Sequence, residues 1–179
     1  MTFKYVIDKL RMEAKKSKLV HKHACVAIKK GKIVSPTFHN YMRAYICDFK
    51  CGSAHAEMAT INYLLGCNNI RRDIMYIFYK YMHGMDIKQN DMRKIKRIRK
   101  KFNTIDLIII RQSKTKHNLG YSKPCPECLK MMQIINIKNV IYTDHKGDFS
   151  IEKVIYMNSV NYTQMSRHIK DSTYVLHKK

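Results

Sequence analysis

The stretch KNVIYTDHKGDFSIEKVIYM, residues 138–157, contains two apolar runs of strand length that are rich in Val, Ile and Tyr. Only the five residues HKGDF, 145–149, separate the first run, KNVIYTD, from SIEKVIYM. A parallel pair of strands needs a crossover of about a dozen residues or more, which a link this short does not provide. The stretch therefore predicts that the last two strands of the sheet are antiparallel neighbours.

The patterns upstream of this pair predict the rest of the sheet. TIDLIIIRQ, 104–112, is a continuous apolar run of the kind expected for a central strand that is buried on both faces. HACVAIKKGKIVSPTFHN alternates and turns at Lys30-Gly31, which predicts a hairpin with strands near 23–28 and 33–39. Apolar residues at helical spacing predict three helices: 3–14 before the first strand, and AHAEMATINYLLG and PECLKMMQIIN between strands. This order predicts an α/β fold, with three α/β/α layers around a mixed five-stranded sheet.

The composition indicates one globular domain, 1–179. The chain is 45% hydrophobic and 27% charged, with 3 Pro and 6 Gly, which excludes a disordered or fibrous protein. We find no apolar signal segment or transmembrane run, so we expect an intracellular, cytoplasmic protein with no membrane partner. In such a reducing compartment, paired cysteines are metal ligands before they are disulfides. The net charge of +22 favours a nucleic-acid partner, but a solvated, lysine-rich surface accounts for it equally well.

A strongly basic segment, MRKIKRIRKKF at 92–102, keeps an apolar stripe at helical spacing and so predicts a helix with one solvated face. The apolar positions are Met92, Ile95, Ile98 and Phe102. The basic side chains are most simply a solvated face, and a surface that follows a phosphate backbone is the alternative interpretation. These candidate nucleic-acid contacts are Arg93, Lys94, Lys96, Arg97, Arg99, Lys100 and Lys101.

Two short motifs, HAE and PCPEC, carry the residues of a metal centre. Zn²⁺ takes sulfur and imidazole ligands tetrahedrally, and a catalytic site keeps one position open for water. His55, Cys125 and Cys128 supply three such ligands, and both sulfurs lie at a loop-to-helix turn where the helix dipole stabilises thiolates. We therefore predict one zinc ion per chain. A closed structural site with Cys51 as fourth ligand is the alternative.

Glu57 follows His55 by two residues and is expected to face the same cleft without being a ligand. A carboxylate beside a water activated by zinc takes its proton and delivers it to a substrate nitrogen. A purely structural site has no use for such a group, so Glu57 is the predicted catalytic residue. The cysteines outside the motifs, Cys25, Cys47 and Cys67, are expected to be buried small hydrophobes.

HAE at 55–57 followed by PCPEC at 124–128 is the H-x-E … P-C-x-x-C signature of zinc nucleobase deaminases. The sequence resembles the cytidine deaminase superfamily over about residues 20–157, and this resemblance implies a cytidine-deaminase-like fold. Residues 68–102 are then an insertion between the two zinc helices, and 158–179 are a C-terminal helix and tail. The resemblance also implies a substrate pocket lined by Asn40, Ala56 and Pro124.

The resemblance implies hydrolytic deamination of cytosine to uracil in a free (deoxy)cytidine or (d)CMP substrate, because antiparallel closing strands are typical of such members. Lys123 stands where many relatives have a serine, which leaves the substrate open. The first alternative is the same chemistry on RNA or single-stranded DNA, which the net charge favours. The second is a non-catalytic protein that binds nucleic acid or serves as a structural or packaging component. Relatives are often dimers or tetramers, so we also expect a homo-oligomer.

Overall fold

The computed structural model describes residues 2–46, 49–67, 70–113 and 118–158, and within 43–52 it describes the backbone alone. Cys47, the side chain of Cys51 and the tail from residue 159 onwards lie outside this description. The predictions made for them therefore stay predictions, as does the assignment of one domain to the whole chain.

The described residues form five α-helices, nine strands and one 3₁₀ turn. The helices are α1 (Phe3–Lys15), α2 (Ala56–Gly66), α3 (Arg71–Met82), α4 (Gln89–Phe102) and α5 (Pro126–Ile135). The strands are β1 (Lys22–Lys29), β2 (Lys32–Ile33), β3 (Phe38–His39), β4 (Tyr41–Ile46), β5 (Phe49–Ala54), β6 (Ile105–Gln112), β7 (Leu119–Gly120), β8 (Asn139–Thr143) and β9 (Phe149–Lys153). The 3₁₀ turn follows β9 at Val154–Tyr156. In the part of the chain that is described, no helix has both the length and the apolar character needed to cross a membrane.

The main sheet is mixed and has the strand order β2-β1-β6-β8-β9, to which the short β3 and β7 add at β1 and β6. β6 lies at its centre, antiparallel to β1 and parallel to β8. β8 and β9 are antiparallel, which confirms the prediction from their short link. A separate hairpin of β4 and β5, which the sequence analysis did not predict, precedes α2.

Helices cover both faces of the sheet, and this confirms the three-layer α/β/α prediction. Alternate residues of β6 point to opposite faces: Ile108 and Ile110 pack with Leu10 of α1, whereas Leu107 and Ile109 join the core formed with α2 to α5. None of these side chains is more than 1% exposed. Burial on both faces explains why the 104–112 run is apolar without alternation.

α2 is apolar on nearly all sides because it lies between the sheet and the helices α3 and α5. Its buried residues include Met58, Ile61 and Leu65. The hydroxyl of Thr60 is also buried and lies 2.9 Å from the carbonyl oxygen of Ala56 and 3.4 Å from that of Cys25 in β1. This packing fixes the start of α2 against the sheet.

The second strand of the N-terminal hairpin is interrupted rather than continuous over 33–39. β2 and β3 pair separately with β1, and the predicted turn at Lys30-Gly31 is present, with φ of 49° and 74°. Between the two short strands the Oγ atom of Ser35 accepts a hydrogen bond from the Ala27 N–H at 2.9 Å. Pro36 follows and has no N–H to donate to the ladder, which explains the break.

The last strand ends at Lys153 instead of continuing to residue 157. Val154 and Met157 are each 1% exposed, whereas Ile155 and Tyr156 are 69% and 77% exposed. Two buried residues three positions apart fit a 3₁₀ turn, and they do not fit a strand, in which alternate residues share a face.

The described segment between α2 and β6 folds as α3 and α4, and α4 confirms the helix predicted over 92–102. Met92 is 51% exposed, so the prediction that it belongs to the apolar stripe is wrong. The buried position at the start of α4 belongs to Asp91, whose carboxylate accepts a hydrogen bond from Lys80 Nζ at 2.8 Å. The rest of the predicted stripe is buried: Ile95, Ile98 and Phe102.

Candidate metal centre

The three predicted ligands lie together at the ends of two helices. The Nδ1 atom of His55 is 3.4 Å from the Sγ atoms of both Cys125 and Cys128. All three ligand atoms lie within 4.8 Å of one another, with both cysteines buried and the histidine half-buried. This group is positioned to bind a metal ion.

The distances and the donor set fit zinc. Bonds of about 2.3 Å to sulfur and about 2.0 Å to nitrogen, at the tetrahedral angle, place the two donor atoms about 3.5 Å apart. The observed sulfur–nitrogen distances are 3.4 Å. Thiolate and imidazole are the donors that zinc prefers, and among the described residues His55, Cys125 and Cys128 supply them.

Both helices begin at a ligand. His55 is the N-cap of α2 and Cys125 the N-cap of α5, each with extended backbone angles. Their carbonyl oxygens accept the first intrahelical hydrogen bonds, from the N–H groups of Ala59 at 3.0 Å and Leu129 at 2.9 Å. The positive ends of two helix dipoles therefore meet at the cluster, where they stabilise thiolate ligands.

The loop that precedes Cys125 is held between β6 and β8 by Ser122. The Oγ atom of Ser122 donates to the Ile109 carbonyl oxygen at 2.8 Å and accepts from the Thr143 N–H at 2.8 Å. The Ser122 N–H donates to the Thr143 carbonyl oxygen at 2.9 Å. The position of the first cysteine ligand is thus fixed by both strands.

Lys123 ties the same loop to the edge strand β9. Its Nζ atom lies 3.1 and 3.2 Å from the two carboxylate oxygens of Glu152 and 5.5 Å from the centre of the Tyr142 ring. The Tyr142 hydroxyl donates to the same carboxylate. Burial raises the pKa of Glu152, but the Tyr142 hydroxyl and the Lys123 ammonium outweigh burial and leave that pKa below its ordinary value.

The cluster has the electrostatics of a buried thiolate–imidazolium pair. Burial lowers the pKa of His55, but the hydrogen bond to Cys125 and the charge on that sulfur raise it to about 9. The hydrogen bonds from Cys128 and His55 hold the pKa of Cys125 well below its usual range. Burial and the neighbouring Cys125 raise the pKa of Cys128. A bound cation would favour the thiolate form of both cysteines, because metal ligation requires deprotonated sulfur.

Glu57 lies in the first turn of α2 and is only 4% exposed. Its charge interacts with those of His55 and Cys125, so the carboxyl group lies close to the ligands. Burial raises the pKa of Glu57, and the positive charge on His55 opposes that shift. A buried carboxyl group with a raised pKa holds a proton more readily than an exposed one, which is a property of groups that accept and return protons.

Two titratable residues beside the ligands were missed in the sequence. His23 comes from β1, and burial, together with the charge on His55, lowers its pKa to about 4, so it is a neutral imidazole. Glu127 in α5 is 2% exposed, and its charge acts on His55 and Cys128. Glu127 is a variable position of the motif, and His23 is one polar residue of an alternating strand. The sequence therefore does not indicate that either residue lies beside the ligands.

The residues predicted to line a substrate pocket lie around the two helix starts. Ala56 and Pro124 flank the ligands and are buried. Asn40 is 5% exposed, and its side chain bonds the backbone of β1: Oδ1 accepts from the His23 N–H at 2.8 Å and Nδ2 donates to the His21 carbonyl oxygen at 2.6 Å. A substrate role for these residues stays a prediction.

Of the remaining cysteines that are described, Cys25 is buried as predicted. Cys67 is exposed, so the prediction that it is a buried hydrophobe is wrong. It lies just beyond the last turn of α2, where that helix leaves the core.

The fold and this cluster define an α/β protein with a His–Cys–Cys group positioned for a metal ion. Comparisons with protein-family models, with curated proteins and with solved structures find no match.

Proposed function

We propose that this protein is a zinc-dependent hydrolase that deaminates cytosine to uracil in a free (deoxy)cytidine or (d)CMP substrate. The observation that carries this proposal is the buried Glu57 carboxyl group beside the three ligands His55, Cys125 and Cys128. A structural zinc site needs no carboxylate there, whereas hydrolysis of a C–N bond needs a group that moves protons.

The chain's own residues account for the proton transfers. Zinc, when bound, supplies Lewis acidity that makes water a nucleophile near neutral pH. Glu57 takes a proton from the water that attacks C4 of cytosine and delivers it to N3. The bond between C4 and the amino nitrogen then breaks, and Glu57 passes the second water proton to that nitrogen. Cytosine and water thus become uracil and ammonia.

The direction of β9 supports a small substrate. An antiparallel closing pair is typical of the free cytidine and deoxycytidylate enzymes of the superfamily that the sequence resembles, and β8 and β9 are antiparallel. Deamination of RNA or single-stranded DNA is the second candidate, and the net charge of +22 is the observation in its favour.

The proposal is tested by assaying the zinc-loaded protein on cytidine, deoxycytidine, CMP, dCMP, adenosine and single-stranded DNA and RNA, with products identified by mass. We expect conversion of a cytosine mononucleoside or mononucleotide, and a loss of about 10²–10⁴-fold in Glu57→Ala with zinc retained. Glu13→Ala is the matched control, because it removes a carboxylate from α1 on the other face of the sheet. Full activity in Glu57→Ala, or inactivity of the zinc-loaded protein on every substrate, contradicts the proposal.

A further inference from the structure

α4 has a buried face and a basic face on opposite sides. At 100° per residue, the buried Asp91, Ile95, Ile98 and Phe102 lie on one side of the helix. Four exposed cations lie within an arc of about 100° on the opposite side. We call these four the basic stripe: Arg93, Lys96, Arg97 and Lys100.

The structure separates the stripe from other basic residues of α4 that already have partners. Lys94 Nζ lies 2.7 Å from the Asp73 carboxylate on α3. The Arg99 guanidinium donates to the carbonyl oxygens of Ile134 at 3.1 Å and Gln133 at 3.4 Å, in the last turn of α5. Within the part of the chain that the structure describes, no ion pair involves a residue of the stripe. Its four charges are therefore available to an external anion.

We propose that the basic stripe binds the phosphate backbone of duplex nucleic acid, at a surface separate from the metal centre. The stripe is about 10 Å long, from the seven steps of about 1.5 Å between Arg93 and Lys100, and a duplex carries about six charges over that length. A groove of about 470 Å³ runs beside it, and the described residues that line it include no aromatic ring. Sites for single strands combine cations with aromatic stacking, so the groove favours a duplex.

α4 is anchored to the rest of the fold near both of its ends. The Lys80 and Asp91 side chains are only 8% and 12% exposed, and their ion pair at 2.8 Å joins α3 to α4. Phe102, 1% exposed, holds the other end of α4 in the core. Because the helix is already formed, binding of an anion does not have to order the backbone of α4, and the entropy cost is confined to the four exposed side chains.

The stripe and the metal centre lie at different places on the molecule. Arg99 joins the last turn of α4 to the last turn of α5, whereas Cys125 is the N-cap of α5. Cys125 and Ile134 are nine steps apart along α5, which is about 14 Å. The basic stripe and the group of metal ligands are therefore associated with opposite ends of α5.

The test is fluorescence anisotropy of a labelled 20-base-pair DNA with the zinc-loaded full chain, titrated between 50 and 200 mM salt. Four phosphate contacts give a slope of about −3.6 in log K against log salt, which is a loss of about 100-fold over this range. Reversing the charge of all four residues of the stripe should lower the affinity for DNA by at least about 100-fold. The slope of log K against log salt should become less negative by about 3 to 4. The matched control reverses four exposed cations on and just after α1, which lies on the other face of the sheet: Lys4→Glu, Lys9→Glu, Lys15→Glu and Lys18→Glu.

The two variants change the net charge equally, so they separate a local site from a general charge effect. Near wild-type affinity in the α1 variant and the loss described above in the stripe variant support the proposal. Equal losses in both, absence of binding at 50 mM salt, or tighter binding of single-stranded DNA overturn it. Zinc content and far-UV circular dichroism show that each variant is folded. Glu57→Ala should bind DNA as the wild type does, so failure of the deaminase assay leaves this test intact.

Discussion

Asn40 was predicted to line a substrate pocket. Its contacts in the structure predict that substitution lowers the stability of the fold by an amount that is measurable without any substrate. Its side-chain amide makes two hydrogen bonds to β1, to the His23 N–H and the His21 carbonyl oxygen, at 2.8 and 2.6 Å. Its own carbonyl oxygen accepts from the buried Ser17 hydroxyl at 2.7 Å. Asn40→Ala removes the two side-chain bonds and leaves the backbone bonds in place.

The magnitude follows from what each partner loses. The His23 N–H is half-buried, and a donor left without its acceptor in such a place costs about 1–3 kcal/mol. His21 is exposed, so water can replace the amide at its carbonyl oxygen, at a cost of about 0.5–1.5 kcal/mol. The two contributions together predict a loss of about 2–4 kcal/mol in the free energy of unfolding. For a chain of this length the expected fall in Tm is about 6–12 °C.

The assay is urea and thermal unfolding of the zinc-loaded wild type, Asn40→Ala and Asn139→Ala. Asn139 is the matched control, because its side chain donates one hydrogen bond, to the half-exposed Asp106 carboxylate at 2.7 Å. We expect its loss to cost less than about 1 kcal/mol. A Tm of Asn40→Ala within about 1 °C of the wild type would refute this reasoning. If the KM of that same variant were raised, the role of Asn40 would be in substrate binding and not in stability.

Two further predictions concern Cys128 and the loop that precedes Cys125, which we call the metal loop. Cys128→Ser replaces a sulfur ligand, so zinc affinity measured by chelator competition should fall by more than the ~10–100-fold typical of losing an outer-shell partner. The control Cys67→Ser, at an exposed cysteine, should keep the zinc affinity of the wild type. Equal zinc affinities of Cys128→Ser and wild type would exclude Cys128 as a ligand. The folded pKa of Glu152 lies below its ordinary value of 4.5, so its ionised form stabilises the folded protein above that value, and this contribution is lost as the pH falls through the folded pKa. Solvent screening limits the contribution to about 1 kcal/mol or less, so the unfolding free energies of wild type and Glu152→Gln should differ at about pH 6 and converge as the pH falls through the folded pKa of Glu152. A difference that is independent of pH would show that the ionised carboxylate of Glu152 does not stabilise the fold.

Most of the architecture could be predicted because most helices and strands carry a local pattern, which is periodic in the helices and continuously apolar in β6. The apolar run of β6 indicates a central strand, and the short link before β9 determines its direction. The ligands could be predicted because Cys125 and Cys128 belong to one local motif, to which His55 is the natural partner.

The features that could not be predicted depend on tertiary context. YMRAYICDFKCGSA, 41–54, has no Gly or Pro near its turn, and its hairpin lies outside the main sheet. Helical spacing places Asp91, and not Met92, on the side of Ile95, and the buried charge is compensated by Lys80, which reaches it from the preceding helix. His23 comes close to His55 through the packing of β1 against α2, which no local pattern specifies.

The stretch that determines the topology of the sheet also determines the position of the metal loop. Thr143 ends β8 and bonds Ser122, and Glu152 on β9 bonds Lys123, so consecutive residues before Pro124 are held by the two closing strands. Because β9 runs antiparallel to β8, Glu152 lies diagonally across from Tyr142 on the face of the metal centre, within reach of Lys123. A parallel β9 would place other residues beside Tyr142. The direction of the last strand is therefore part of what holds Cys125 in place, and the closing hairpin connects the fold to the site.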